Sequence, residues 1–134
     1  IMSSINRVTS RSSVSAVGST FDVNKVIDID MNMFPPSQHF EGYLSLIVLQ
    51  ISNINAAEKV TMRICRDSAG DEMIITDTQS DLFTGITTAT KGSAIFALNA
   101  FVKVGHAGDL HAFVKTDTGT CDIDFIEMTY QGDR

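Results

Sequence analysis

Three carboxylates stand close together near the end of the sequence, in Asp122-Ile-Asp124-Phe-Ile-Glu127. Carboxylates at such spacing can do acid–base or nucleophilic work if they face one cleft. One then stays ionised while its neighbour, in a drier setting, keeps its proton. On a strand, successive side chains point to opposite faces, so residues 122 and 127 share a face only if the period of two is broken between them. The apolar positions show such a break: Cys121, Ile123 and Phe125 are odd, whereas Ile126, Met128 and Tyr130 are even. A β-bulge near 125–126 produces that slip.

The segment resembles the Glu-x-Asp-x-x-Glu strand of the laminarinase and lichenase-type glycoside hydrolases, which are β-sandwich jelly rolls. The resemblance implies Asp122 as nucleophile and Glu127 as acid/base, with Asp124 between them. Retaining chemistry of that kind needs two carboxyls about 5–5.5 Å apart, one with a raised pKa. The first carboxylate here is Asp rather than Glu, and the chain contains no Trp to stack on a sugar. The favoured reading is the plainer one, an acidic solvent face of an edge strand, so no catalytic residue is assigned.

Other chemistry is sparser. Asp67, Asp71, Asp109 and Asp117 fall in turns, where several loops could converge on Ca²⁺, which takes about six to eight oxygen ligands. Asp in a turn more often bonds its own backbone, so no metal is assigned. His39, His106 and His111 lack metal-ligand spacing; His106 sits in a turn and His111 on an outward face. No Ser occupies a nucleophile elbow, and no glycine-rich phosphate loop is present, so no cofactor is expected. Cys65 and Cys121 are expected on separate strands. They read as two small buried hydrophobes, a long-range disulfide being the alternative.

The elements that would hold these groups are strands. Phe21, Val23, Ile27, Ile29 and Met31 alternate with Asp and Asn, predicting a strand over about 21–32. Met33-Phe34-Pro35-Pro36 ends it, because proline cannot donate to a ladder. Further strands are expected at about 39–53, 59–66, 72–78, 94–104, 110–116 and 121–130. Helix competes at Ala94–Ala100, but strict alternation after Leu98 favours strand. Asp67-Ser-Ala-Gly70-Asp71 signals a hairpin loop. Residues 79–93 read as a loop, which Leu82, Phe83 and Ile86 either tie down or form into a short strand. Met31, Met33, Phe34, Phe40 and Tyr43 are expected to plug one end. No amphipathic helix separates the strands, so a parallel sheet is excluded. The fold class is all-β: an antiparallel, jelly-roll-like β-sandwich of about seven or eight strands spanning 21–134.

Residues 1–20 differ. Ser and Thr dominate, and no period is sustained. They are expected to form an extended arm, with Ile5, Arg7, Val8, Arg11, Val14 and Val17 contacting neighbouring subunits. The net charge is −6; Arg7 and Arg11 lie in this segment, and all sixteen acidic residues lie beyond it. An acidic body repels phosphate, so no nucleic acid is expected through it. No apolar run approaches the roughly 18–20 residues that span a bilayer, so no membrane is expected. The opening residues show neither the charged nor the apolar region of a secretory signal.

An arm, a compact sandwich and little catalytic equipment together resemble small single jelly-roll viral coat or decoration proteins. That resemblance is architectural and rests on no motif. It implies a structural protein of a virion, whose partners are other copies of itself and other capsid subunits. The alternative is a carbohydrate- or ligand-binding sandwich; a hydrolase using Asp122, Asp124 and Glu127 ranks below both.

Overall fold

The computed structural model describes residues 4–10, 13–29, 40–54, 59–80, 90–104 and 110–133. Among these residues nine strands run in chain order: β1 (Ser4–Ser10), β2 (Val14–Val17), β3 (Ile27–Ile29), β4 (Phe40–Ile54), β5 (Val60–Cys65), β6 (Met73–Ser80), β7 (Thr90–Val104), β8 (Leu110–Thr116) and β9 (Cys121–Asp133). The larger sheet has the order β1-β9-β4-β7, with β2 also on β9; the smaller has the order β3-β8-β5-β6. Every pairing is antiparallel. If β1 and β2 are taken as one interrupted strand, the order is that of an eight-stranded jelly roll.

The core lies between the sheets. β4 contributes Leu44, Ile47, Leu49 and Ile51; β5 Val60, Met62 and Ile64; β8 Leu110, Ala112 and Val114; and β9 Ile123, Ile126 and Met128. Burying each large aliphatic side chain stabilises the fold by about 1.5–3 kcal/mol. The segment Ala94–Ala100 is strand, as its alternation requires, with Ala94 and Phe96 inward.

Two expectations are corrected. The strand expected at 21–32 begins only at Ile27. Before it, Val23–Lys25 form a 3-10 turn. Asp22 caps the turn: its Oδ1 accepts the Asn24 N–H at 2.8 Å, and its carbonyl accepts the Lys25 N–H at 2.9 Å. An Asp side chain competing locally for backbone donors outweighs the alternating pattern, and Val23 is left 57% exposed.

The second correction concerns the arm. β1 runs antiparallel to β9, with Ile5 opposite Gln131, Arg7 opposite Thr129 and Val8 opposite Met128. Val14 stands opposite Ile123 and packs on the core, while Val17 stands opposite Cys121 and is 1% exposed. Val14 and Val17 therefore pack against the molecule's own interior. A segment too polar to fold alone still gains a full hydrogen-bond ladder by adding to the edge of β9. Arg11, His39, His106, Asp109, the Pro35-Pro36 turn with Met31, Met33 and Phe34, and the loop residues Leu82, Phe83 and Ile86 lie outside the described residues.

No helix among the described residues is long and apolar enough to cross a membrane.

Candidate functional site

The expected bulge on β9 is present. Gln50 of β4 pairs with Phe125 and the next residue, Ile51, with Ile123, so Asp124 is the extra residue. Ile123 and Ile126 both stay buried across it, and Asp122, Asp124, Phe125 and Glu127 are left half-buried on the outer side of the larger sheet. The three carboxylates thus share a face, as the sequence suggests.

Asp122 and Asp124 are already hydrogen-bonded within the fold. Asp122 Oδ1 accepts the Ala16 N–H at 2.8 Å, and its Oδ2 accepts Asn53 Nδ2 at 2.6 Å. The Ala16 N–H first, then Asn53, with Lys25 adding a smaller charge effect, hold the Asp122 carboxyl below the usual carboxylate range. A low value keeps the group ionised, as a nucleophile must be, but both its oxygens already hold donors of the fold. Ala16 and Asn53 both have φ near +55°, so Asp122 stitches together two left-handed backbone positions, on β2 and β4. Asp124 accepts Ser52 Oγ at 3.0 Å.

Beyond these carboxylates the same face is open and regular. Register aligns Phe125, Gln50 and Ser93 in one row, Glu127, Val48 and Ile95 in the next, and Thr129, Leu46 and Ala97 in a third. Three strands about 4.8 Å apart, with same-face residues about 6.8 Å apart along each, make a platform roughly 10 Å by 14 Å. Ser93 Oγ donates to Gln50 Oε1 at 2.9 Å, which directs the Gln50 amide nitrogen, a donor, away from Ser93. Ile95 is 50% exposed, and Phe125, Val48 and Leu46 are half-buried. An aromatic ring and aliphatic side chains beside amide, hydroxyl and carboxylate groups can both stack on a small ligand and hydrogen-bond it. Sequence reasoning saw only the β9 members; the rest come from β4 and β7, far away in sequence.

The smaller sheet's outer face is different. Phe21 lies under Arg63, with the guanidinium carbon 4.2 Å from the ring centroid, and Lys115 Nζ is 5.1 Å from it. The Thr116 N–H donates to the Gly18 carbonyl at 3.0 Å, tying residues 18–25 across this side. The hairpin loop at 66–72 folds over Phe113, as its Asp and Gly predict. Asp67 Oδ2 accepts the Asp71 N–H at 3.0 Å and its Oδ1 accepts the Glu72 N–H at 2.8 Å. These bonds, led by Glu72, hold the Asp67 carboxyl below its ordinary value. Gly70, at φ +83°, sits against the Phe113 ring. Within this face Asp28, His111 and Cys65 align across three strands.

The described turn aspartates do not all converge. Asp67 and Asp71 follow β5 at the end where Cys65 pairs with His111, whereas Asp117 follows β8 at the end where Thr116 pairs with Val60. No cluster able to hold a metal occurs among the described residues. Cys65 and Cys121 are both buried and no disulfide joins them.

No protein-family model matches the chain, and no curated protein matches it in sequence. Its fold is similar to that of a carbohydrate-binding module from glycoside hydrolase family 9 (Cel9A) of Ruminococcus flavefaciens FD-1. That likeness has a TM-score of 0.53 at 14% identity, covering 96% of this chain and 98% of the other. A CocE/NonD family hydrolase from Staphylococcus aureus is matched at TM-score 0.57 and 8% identity, over 96% of this chain but only 34% of the hydrolase. A structure of infectious bursal disease virus Gx strain is matched at TM-score 0.42, too distant a likeness to weigh. At these identities the likeness is one of fold.

Proposed function

We propose that this chain is a carbohydrate-binding β-sandwich module that takes its ligand on the outer face of the larger sheet. The open platform of Phe125, Gln50, Ser93, Glu127, Val48 and Ile95 carries the reading. A pyranose ring has an apolar CH face and a rim of hydroxyls. Phe125 and Ile95 suit the first; the Gln50 amide, Ser93 and Glu127 suit the second. The full-length fold likeness to a carbohydrate-binding module supports the same reading. Glu127 and the net charge of −6 favour a neutral glycan over an acidic one.

Affinity electrophoresis through gels containing a soluble neutral β-glucan, xylan or, as a control, polygalacturonate tests this. Retardation by a neutral polysaccharide is expected, lost in Gln50→Ala and Phe125→Ala at unchanged melting temperature. Absence of retardation by every neutral polymer would overturn it.

Assembly into a virus or phage particle is the second reading. The jelly-roll strand order supports it, but its original motive, a projecting arm with Ile5, Arg7, Val8, Arg11, Val14 and Val17 gripping neighbours, is weakened by the pairing of β1 and β2 with β9. Sedimentation separates the two: a large closed oligomer favours assembly, and a monomer that melts higher with glycan favours binding.

A further inference from the structure

The outer face of the smaller sheet holds a nucleophile aligned with a base and a carboxylate. Asp28 of β3 is the direct cross-strand partner of His111 of β8, and His111 is the direct partner of Cys65 of β5. All three sit on the outward side, because the intervening positions Ile27, Ile29, Ala112 and Ile64 face the core. Directly opposed residues have Cβ atoms about 4.5–5.5 Å apart, so imidazole and thiol are neighbours. His111 Nδ1 is 2.6 Å from Asp28 Oδ1. A carboxylate only accepts, so Nδ1 is the donor in this contact, and Nε2 is the ring nitrogen left to take a proton from the thiol. Asp28 is 66% exposed and the His111 side chain 15%, while Cys65 is fully buried. The loop at 66–72 leaves β5 immediately after Cys65 and turns back over Phe113, the strand neighbour of this row. Asp67 closes that loop through the Asp71 and Glu72 N–H groups.

We propose that Cys65 is a modifiable thiol, deprotonated by His111 under orientation by Asp28, that takes small disulfides when the 66–72 loop lifts. The Cys65 thiol passes its proton to His111 Nε2. The thiolate attacks one sulfur of a disulfide R–S–S–R, a Cys65–S–S–R bond forms, the R–S–S–R bond breaks, and the departing RS⁻ takes the proton from the imidazolium. Asp28 holds the ring and stabilises the imidazolium, as the third group of such rows does. Cys121 is an internal control: it is equally buried, but it faces the core from β9.

The test exposes the full chain to glutathione disulfide and follows each cysteine by peptide mass mapping. Cys65 is expected to react at least about tenfold faster than Cys121, and His111→Gln and Asp28→Asn each to slow Cys65 about tenfold while leaving Cys121 unchanged. Asp67→Ala, which unties the loop, is expected to speed Cys65 selectively. Asp28 is mostly exposed, so Asp28→Asn keeps the fold, and its melting temperature verifies that. Equal rates at the two cysteines, or a Cys65 rate indifferent to Asp28→Asn, would sink the proposal.

Discussion

On the larger sheet, the outward row Glu127–Val48–Ile95 leaves Ile95 half exposed; on the smaller, the outward row Arg63–Phe113 is roofed by Phe21, the 18–25 crossing and the 66–72 loop. Both faces carry apolar side chains, yet among the described residues only one is covered. Phe113 is as buried as a core residue although it points away from the core. The contrast teaches that a third layer covers the outer side of one sheet, while nothing among the described residues covers the other. The side without it is where a ligand can lie flat.

The sharpest way to break this contrast is a matched pair of truncations. Phe113→Ala is expected to cost about 3–5 kcal/mol in denaturant unfolding, like a core aromatic. Ile95→Ala is expected to stay within about 0.5 kcal/mol. Similar losses at the two positions would mean the faces are alike. Gly70→Ala comes next, at about 1–2 kcal/mol, because an added Cβ would lie 3.1 Å from the Phe113 ring and φ is +83°. Smaller again is Ala16→Gly, expected to raise stability by up to about 1 kcal/mol by relieving a left-handed alanine on the open side.

Acid titration sharpens the contrast without a core mutation. Asp67 on the roofed side and Asp122 on the open side both have depressed carboxyl values, below the ordinary 3.8. Each contributes stability that is fully present above 3.8 and is lost as pH falls through its lower folded value. Asp67→Asn and Asp122→Asn should each flatten the acid limb of a stability–pH curve while changing little at neutral pH beyond the lost hydrogen bonds.

Most of the strands were legible because their inward residues alternate over long runs. β4, β5, β8 and β9 start within a residue of expectation, and the parity slip between Phe125 and Ile126 located the β9 bulge, whose extra residue is Asp124, slightly late. β1 and β2 were not legible. Their few apolar residues fall out of step, and what orders them is the edge of a strand more than a hundred residues on. Phe21 and Val23 kept the right period for the wrong reason: a capping Asp22 turned them out of the sheet. The platform rows and the Asp28–His111–Cys65 row were hidden for a common cause. Each member is unremarkable alone, and only register across three strands sets them side by side.

β9 lies between β4 on one flank and β1 with β2 on the other. The bond from Ala16 to Asp122 closes a separation of 106 residues. During synthesis the first two strands therefore have no partner until nearly all the rest has emerged from the ribosome. Such distant pairing makes for slow, late folding. A nascent chain of this kind spends its life as a waiting half-sheet, and it is then that chaperones would have most to do.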